Sequence, residues 1–280
     1  MTLTTARLQK SCLYANKVYE NKNDEFNLIS VDGADVAVFK EDTETVTVAF
    51  RGSSELVDFI ADVDFIRRKN INGIGRVHYG FYNYTNNTLS RLEQLLSSIE
   101  NIHVTGHSLG GAMAVLFCCL CSEITQAKIR SLTTFGQPRT LNSVEKFRDF
   151  YLARFPYVRV INDSDIIPHL PGRWWSSYHH TGGTIVIDEY NNVSTPINAV
   201  KTSMLLWTSW IRAILRMDVF DAIGDHSCSK YVEKVQFIPQ ISIDLCLEID
   251  QRSPNKKTWW YTAVFSAVVI GTLLVNFIHK

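Results

Sequence analysis

The segment Gly106-His107-Ser108-Leu109-Gly110 sets one hydroxyl midway between two glycines. A serine hydroxyl is a weak nucleophile, useful where a tight turn lifts it clear of the chain and a base can take its proton. The short run Ile102-His103-Val104-Thr105 precedes the segment and a helical stretch, Ala112 to Glu123, follows, so the five residues read as a strand-to-helix corner that carries a nucleophile. In so tight a corner a side chain at 106 or 110 would meet neighbouring backbone, and Gly111 and Ala112 let helix and strand approach. Ser108 would then project from the C-terminal edge of a sheet, at the start of a helix whose dipole favours developing negative charge. The Leu109 amide, next after the serine, is the one oxyanion donor readable from the residues alone. A passive serine or a phosphate cradle is the competing reading, but no P-loop lysine follows.

Two partners must lie downstream. Of the eight histidines, His107 sits inside the corner, where its ring should point away from the hydroxyl and serve packing or a hydrogen bond. His103 belongs to the strand and His279 to the end of the chain, while His169, His179 and His180 are open to structural roles. His226, in the late turn Gly224-Asp225-His226-Ser227, stands where hydrolases of this chain order place the base. For the acid, Asp163 and Asp165 both follow the strand Tyr157 to Ile161, at the edge where open sheets collect catalytic groups.

Short β-branched runs (Val36 to Phe39, Thr45 to Phe50, Ser131 to Phe135, Tyr157 to Ile161) alternate with helical patterns at Thr88 to Ile99 and Ser143 to Leu152. That alternation predicts an α/β domain over residues 1–250, its mostly parallel sheet covered by helices on both faces. Ser203 to Met217, rich in Leu, Ile and Trp but broken by Arg212 and Arg216, reads as a helix packed on that sheet.

At this point the chain resembles the fungal-type, or class 3, triacylglycerol lipases of the α/β-hydrolase superfamily. The pieces come in order: Val48-Ala49-Phe50-Arg51-Gly52-Ser53, His78-Tyr79-Gly80-Phe81, Val104 through Ala112, Phe135-Gly136-Gln137-Pro138-Arg139, Asp165-Ile166-Ile167-Pro168 and His226. The resemblance implies Ser108, Asp165 and His226 as a triad, so it selects Asp165 over Asp163. It also implies that Ser53 joins Leu109 as an oxyanion donor, and that a lid follows Ser53. There Leu56, Phe59, Ile60 and Val63 recur at helical spacing with Asp58 and Asp62 facing elsewhere, although the family often has tryptophan where this chain has Phe59. The expected reaction is hydrolysis of acylglycerol esters through an acyl-enzyme on Ser108, with no metal or organic cofactor. A phospholipase A1 or an acyltransferase would use the same residues. A non-catalytic membrane-anchored scaffold on the same fold is the reading from another class.

Composition narrows partners and compartment. Lys+Arg and Asp+Glu are both 28 among 280 residues, which leaves no basic field for a phosphate backbone and excludes nucleic acid. The start of the chain lacks the apolar stretch of a secretory signal. Three of the six cysteines crowd into Cys118, Cys119 and Cys121, unlike the disulfide pattern of the secreted fungal enzymes, which suits a reducing compartment. Cys118 and Cys121 form a C-x-x-C, but with no second pair at ligand spacing they read as core packing rather than a redox or metal site. From Trp259 to Ile278 no residue is charged, a length that spans a bilayer as a helix. Trp259, Trp260 and Tyr261 mark its interface, and Arg252, Lys256 and Lys257 lie just before. The expectation is a C-terminal membrane anchor behind a polar linker, 251–258, with the enzyme domain in the cytosol and a lipid ester at a membrane or droplet surface as substrate.

Overall fold

In the computed structural model the chain is described at residues 2–20, 26–52, 68–71, 74–142, 144–162, 165, 167–170, 178–195 and 226–252. Helix α1 (Thr5–Lys17) and a 3-10 turn (Val18–Glu20) lead into strands β1 (Asn27–Val31), β2 (Ala34–Lys40) and β3 (Thr45–Phe50). A separate hairpin follows, β4 (Arg68–Ile71) and β5 (Gly75–His78), then α2 (Tyr79–Leu96), β6 (Asn101–His107), α3 (Leu109–Leu120), α4 (Glu123–Lys128), β7 (Ile129–Phe135), α5 (Val144–Leu152) and β8 (Tyr157–Asn162). A 3-10 turn at Ile167–His169, strands β9 (Gly183–Ile187) and β10 (Val193–Ser194), and helices α6 (Cys228–Val235) and α7 (Gln240–Arg252) complete the described elements.

The main sheet runs β1-β2-β3-β6-β7-β8-β9-β10. From β3 to β9 neighbours are parallel, with Phe50 beside Gly106, His107 beside Phe135 and Asn162 beside Ile187. The outer pairs β1–β2, β2–β3 and β9–β10 are antiparallel. The mostly parallel sheet expected from the alternating pattern is therefore present. Its central strands are buried on both sides, as their continuous apolar runs require. One apolar core joins Leu92 and Leu96 of α2, Met113 to Cys119 of α3 and Phe147 of α5 to one face. The other joins Leu8 and Cys12 of α1, Tyr231 of α6 and Ile243 of α7 to Val158, Val160 and Ile185. Cys118 and Cys121 pack inside the first core, the role expected of them.

Four helices differ from the sequence expectation, three of them for identifiable reasons. Helix α2 begins nine residues before Thr88, because His78 Nδ1 accepts from the Phe81 amide at its start and the buried stripe Phe81, Thr85, Thr88, Leu92, Leu96 includes threonines. Helix α3 stops at Leu120, since Ser122 caps a new helix by accepting from the Thr125 amide. Helix α1 has no counterpart in the sequence expectation; its buried face is Leu8, Ser11, Cys12 and Ala15, too small and polar for a strong apolar period. Helix α7 runs two residues into the stretch read as a linker.

Helix α1 is tied down by charge as well as packing. Glu41 accepts from Lys10 Nζ at 2.7 Å, from Arg7 Nη2 at 2.9 Å and from the Thr47 hydroxyl at 2.6 Å. Burial alone would raise the Glu41 carboxyl, but the hydrogen bonds from Arg7, Lys10 and Thr47 outweigh it and hold it down at about 2. A carboxylate with a depressed folded pKa stabilises the fold above its ordinary value near 4.3, and that contribution fades as pH falls toward 2. Glu41→Gln is therefore expected to lower stability by about 2 kcal/mol at neutral pH. Thermal melts should show wild type losing more stability than the variant between about pH 4.5 and 2; parallel losses would refute the assignment.

Candidate active site

The C-terminal ends of β3, β6, β7 and β8 lie side by side in the parallel part of the sheet, so residues just beyond them share one edge. Ser108 follows β6 with φ 58° and ψ −130°, a conformation few side chains adopt and one that costs about 1–3 kcal/mol. The corner is held from several sides. The Ser108 amide donates to the Phe135 carbonyl at 2.9 Å, tying it to β7, and the Gly111 amide turns back to the Ser108 carbonyl at 2.9 Å. A Cβ on Gly106 would strike the Gly110 carbonyl, and one on Gly110 would strike the Phe50 carbonyl, so both positions require glycine as the sequence spacing implies. Leu109 is the first residue of α3, where an amide has no acceptor within the helix.

The structure brings Asp165 and His226 together. Asp165 follows β8 and His226 precedes α6, 61 residues later, and His226 Nδ1 lies 2.7 Å from Asp165 Oδ2. The same oxygen accepts from the Tyr231 hydroxyl at 2.6 Å, and Oδ1 accepts from the Ile167 amide at 2.9 Å. With acceptors only on the carboxylate, Nδ1 carries a hydrogen and Nε2 is left as the basic nitrogen. Gly136, after β7 and at φ 57°, makes room for the pair: a Cβ there would lie 2.7 Å from Asp165 Oδ2 and 2.9 Å from His226 Cε1. The Ser108 amide bonds the residue just before that glycine, so Ser108 and the Asp165–His226 pair flank the same end of β7. Ser108, Asp165 and His226 are only 1%, 1% and 4% exposed, and Ser108 Oγ and His226 Nε2 are buried without a hydrogen-bond partner among the described residues. Two such atoms at one sheet edge are the state expected before a substrate brings them into play.

His103 bonds Ser131 at 2.7 Å, and burial pushes it down to about 4. Burial, then the nearby Arg139, pushes His169 down to about 3. His180 Nε2 donates to the Pro168 carbonyl. His107 turns away from the serine hydroxyl, as expected, into hydrogen bonds with Tyr19 and the His226 carbonyl. Tyr231 was not read from the sequence. Burial, then the charge of Asp165, keeps its phenol far above the ordinary range, so it remains a donor to that carboxylate. Ser53, the lid positions Leu56, Phe59, Ile60 and Val63, the competing Asp163, the stretch 203–217 and the segment 259–278 lie outside the described residues. Among the described residues no helix is long and apolar enough to cross a membrane, and no group of His, Cys, Asp and Glu could hold a metal ion.

Comparison with known proteins places this geometry. Residues 47–174 match the family model "Lipase (class 3)". The chain is similar to the lipase of Rhizomucor miehei, 36% identical over 148 residues, 48% of this chain and 40% of that protein. It is similar to the toxin TseL of Vibrio cholerae, 30% identical over 159 residues, 55% of this chain and 24% of the toxin. It is also similar to the triacylglycerol lipase OBL1 of Ricinus communis, 31% identical over 155 residues, 48% of this chain and 29% of that protein. The chain thus matches only 24% to 40% of the length of these curated relatives. Among solved structures, the Rhizomucor miehei lipase propeptide complex superposes with a TM-score of 0.53 at 25% identity, covering 67% of this chain and 69% of that one. Lipase II from Rhizopus niveus shares the fold with a TM-score of 0.55 at 24% identity, over 66% and 82% of the two chains. Residues 47–174 thus resemble the class 3 lipases in sequence, and the mostly parallel sheet with its flanking helices shares the fold of the fungal lipases.

Proposed function

We propose that this chain is a carboxylic ester hydrolase of the triacylglycerol-lipase type, cleaving acylglycerols through an acyl-enzyme on Ser108. Ser108 Oγ attacks the ester carbonyl while His226 Nε2 takes its proton, and Asp165 holds the resulting imidazolium. The oxyanion of the tetrahedral intermediate faces the Leu109 amide and, by the family resemblance, Ser53. One such donor is worth roughly 10²–10³ in rate. His226 then gives the proton to the leaving alcohol, and water activated by the same imidazole releases the fatty acid. The observation that carries this reading is the 2.7 Å contact between Asp165 and His226, which leaves Nε2 unpartnered at the edge that holds the Ser108 hydroxyl. The relatives named as lipases support the substrate class.

Two further parts of the reading rest on sequence. Leu56, Phe59, Ile60 and Val63 form the apolar face of a lid that leaves the buried Ser108 for a lipid surface, and Trp259 to Ile278 anchors the domain, with residues 1–250 in the cytosol. The test is fatty-acid release by the 280-residue chain in detergent micelles from dissolved short-chain esters, emulsified di- and triacylglycerols, and phosphatidylcholine vesicles. Release from acylglycerols, rising sharply as substrate passes from monomer to emulsion, is expected. Release from the phospholipid alone would move the assignment to a phospholipase A1, and a flat response across the emulsion threshold would remove the lid's role. Protease treatment of intact microsomes decides the topology: a protected domain contradicts the cytosolic orientation.

A further inference from the structure

We propose that Tyr19 and His107 are positioning residues that hold the backbone of His226 and the end of β3 in a single register, through one directional chain of hydrogen bonds. This inference deepens the ester-hydrolase reading and rests on it. His107 Nε2 lies 2.7 Å from the His226 carbonyl oxygen, which only accepts, so Nε2 bears the hydrogen. In the neutral ring Nδ1 is then an acceptor, and the Tyr19 hydroxyl, 2.9 Å away, must donate to it. The Tyr19 oxygen in turn accepts from the Gly52 amide at 3.0 Å. Every donor and acceptor in the chain from Gly52 through Tyr19 and His107 to His226 is fixed by its ends.

The two ends are the parts of the site that must agree. Gly52 follows β3 and immediately precedes the position that the family resemblance assigns to the oxyanion site; a Cβ on Gly52 would lie 2.9 Å from Ser108 Cβ and 2.7 Å from the His107 carbonyl. The His226 carbonyl belongs to the residue whose ring faces Asp165. The middle of the chain is rigid. His107 is buried, its ring centroid 4.5 Å from that of His226 and 5.6 Å from that of Tyr231. Tyr19 is clamped by the Arg51 guanidinium 5.5 Å from its ring, itself paired with Asp35 at 2.6 Å. Burial, then the neighbouring His226, holds the His107 ring far below its ordinary pKa. His107 therefore stays neutral and sets no second positive charge beside His226 when that ring becomes an imidazolium.

Tyr19 comes from the 3-10 turn after α1, outside the sheet, so the N-terminal helix belongs to the machinery that aims the base. Misplacement of a reacting group by about 1 Å costs on the order of 10²-fold in rate, and a partial loss of restraint costs less. The experiment measures kcat and KM on a soluble short-chain ester, with active sites titrated by a fluorophosphonate, for the full chain and for Tyr19→Phe, His107→Asn, His107→Gln and Ser108→Ala. Tyr19→Phe, which keeps the ring and its packing, is expected to lower kcat per titrated site about tenfold with KM within about twofold. His107→Asn, too short to reach the His226 carbonyl, should do the same, whereas His107→Gln, whose amide nitrogen sits near the Nε2 position, should recover most of the loss. Tyr19→Phe and His107→Asn within twofold of wild type per titrated site would overturn the proposal, as would a loss explained wholly by fewer titratable sites. If His107→Asn fails to fold, the isosteric Tyr19→Phe decides alone. A wild type no more active than Ser108→Ala would instead remove the hydrolase reading, and this inference with it.

Discussion

Replacing Ser108 with alanine is expected to lower kcat/KM on an acyl ester by about 10⁴-fold or more while leaving the fold intact. The hydroxyl stands at the sheet edge beside the Asp165–His226 pair, yet among the described residues it makes no hydrogen bond that the folded state would miss. Its removal strands no buried donor, and a methyl group sits as readily in the strained corner as a hydroxymethyl. The melting temperature should therefore hold or rise slightly, since a site strained for chemistry gives up stability that a simpler residue recovers. Residual turnover would come from the oxyanion donors and binding alone. A variant that keeps more than about a tenth of wild-type kcat/KM would assign the chemistry to another residue. Loss of activity together with loss of the thermal transition would say nothing about the hydroxyl, so the melt is part of the measurement.

Asp165→Asn is the more diagnostic change, because its geometry alters less than its chemistry. In the wild type, among the described residues, the three groups facing the carboxylate are donors: the Ile167 amide on Oδ1, and the Tyr231 hydroxyl and His226 Nδ1 on Oδ2. A carboxamide can satisfy only one side. With its oxygen toward Ile167, its NH2 meets His226 Nδ1, and the imidazole answers by moving its hydrogen to Nε2, the atom that must accept the serine proton. With its oxygen toward His226, its NH2 confronts the Ile167 amide, donor against donor. Holding the wrong tautomer in a serine triad costs about 10⁴ in kcat, and a loss of that order is expected here. A loss below about tenfold would mean that Asp165 only caps the turn leading to Ile167.

These predictions concern residues that were partly legible in the sequence, and the limits of legibility have physical causes. The corner at Ser108 could be read because its pattern is local: two glycines flanking the serine, with a strand before and a helix after. The parallel sheet could be read because its buried strands are short β-branched runs. Asp165 could not be separated from Asp163 by position, since neighbouring residues beyond one strand share its edge. The family resemblance made that choice; Asp165 contacts His226, while Asp163 lies outside the described residues. Tyr19 and Tyr231 carried no such signal. Each acts through one hydroxyl on a partner 88 and 66 residues away, and nothing in the spacing of tyrosines announces a hydrogen bond. For α1 a faint signal existed in Leu8, Cys12 and Ala15, but Ser11 on the same face blurred the apolar stripe.

The same reasoning explains why the sheet edge, rather than any single residue, is the unit to perturb. Gly52, Ser108, Gly136 and Asp165 each stand just past a strand, and each restrains a neighbour: Gly52 lies against Ser108, Ser108 bonds the end of β7, and Gly136 admits the Asp165–His226 pair. Substitutions there should couple, so double variants at this edge will not show additive losses.

The central claim is a covalent one: Ser108 Oγ, deprotonated by His226, becomes acylated. Rapid quenching of the protein with a chromogenic ester, followed by peptide mass mapping, tests it most directly. The account predicts a burst of released alcohol matched by acyl mass on the peptide that contains Ser108, with burst and adduct both absent from Ser108→Ala. Turnover without any acyl adduct on Ser108, or an adduct that persists at another residue in Ser108→Ala, would contradict it.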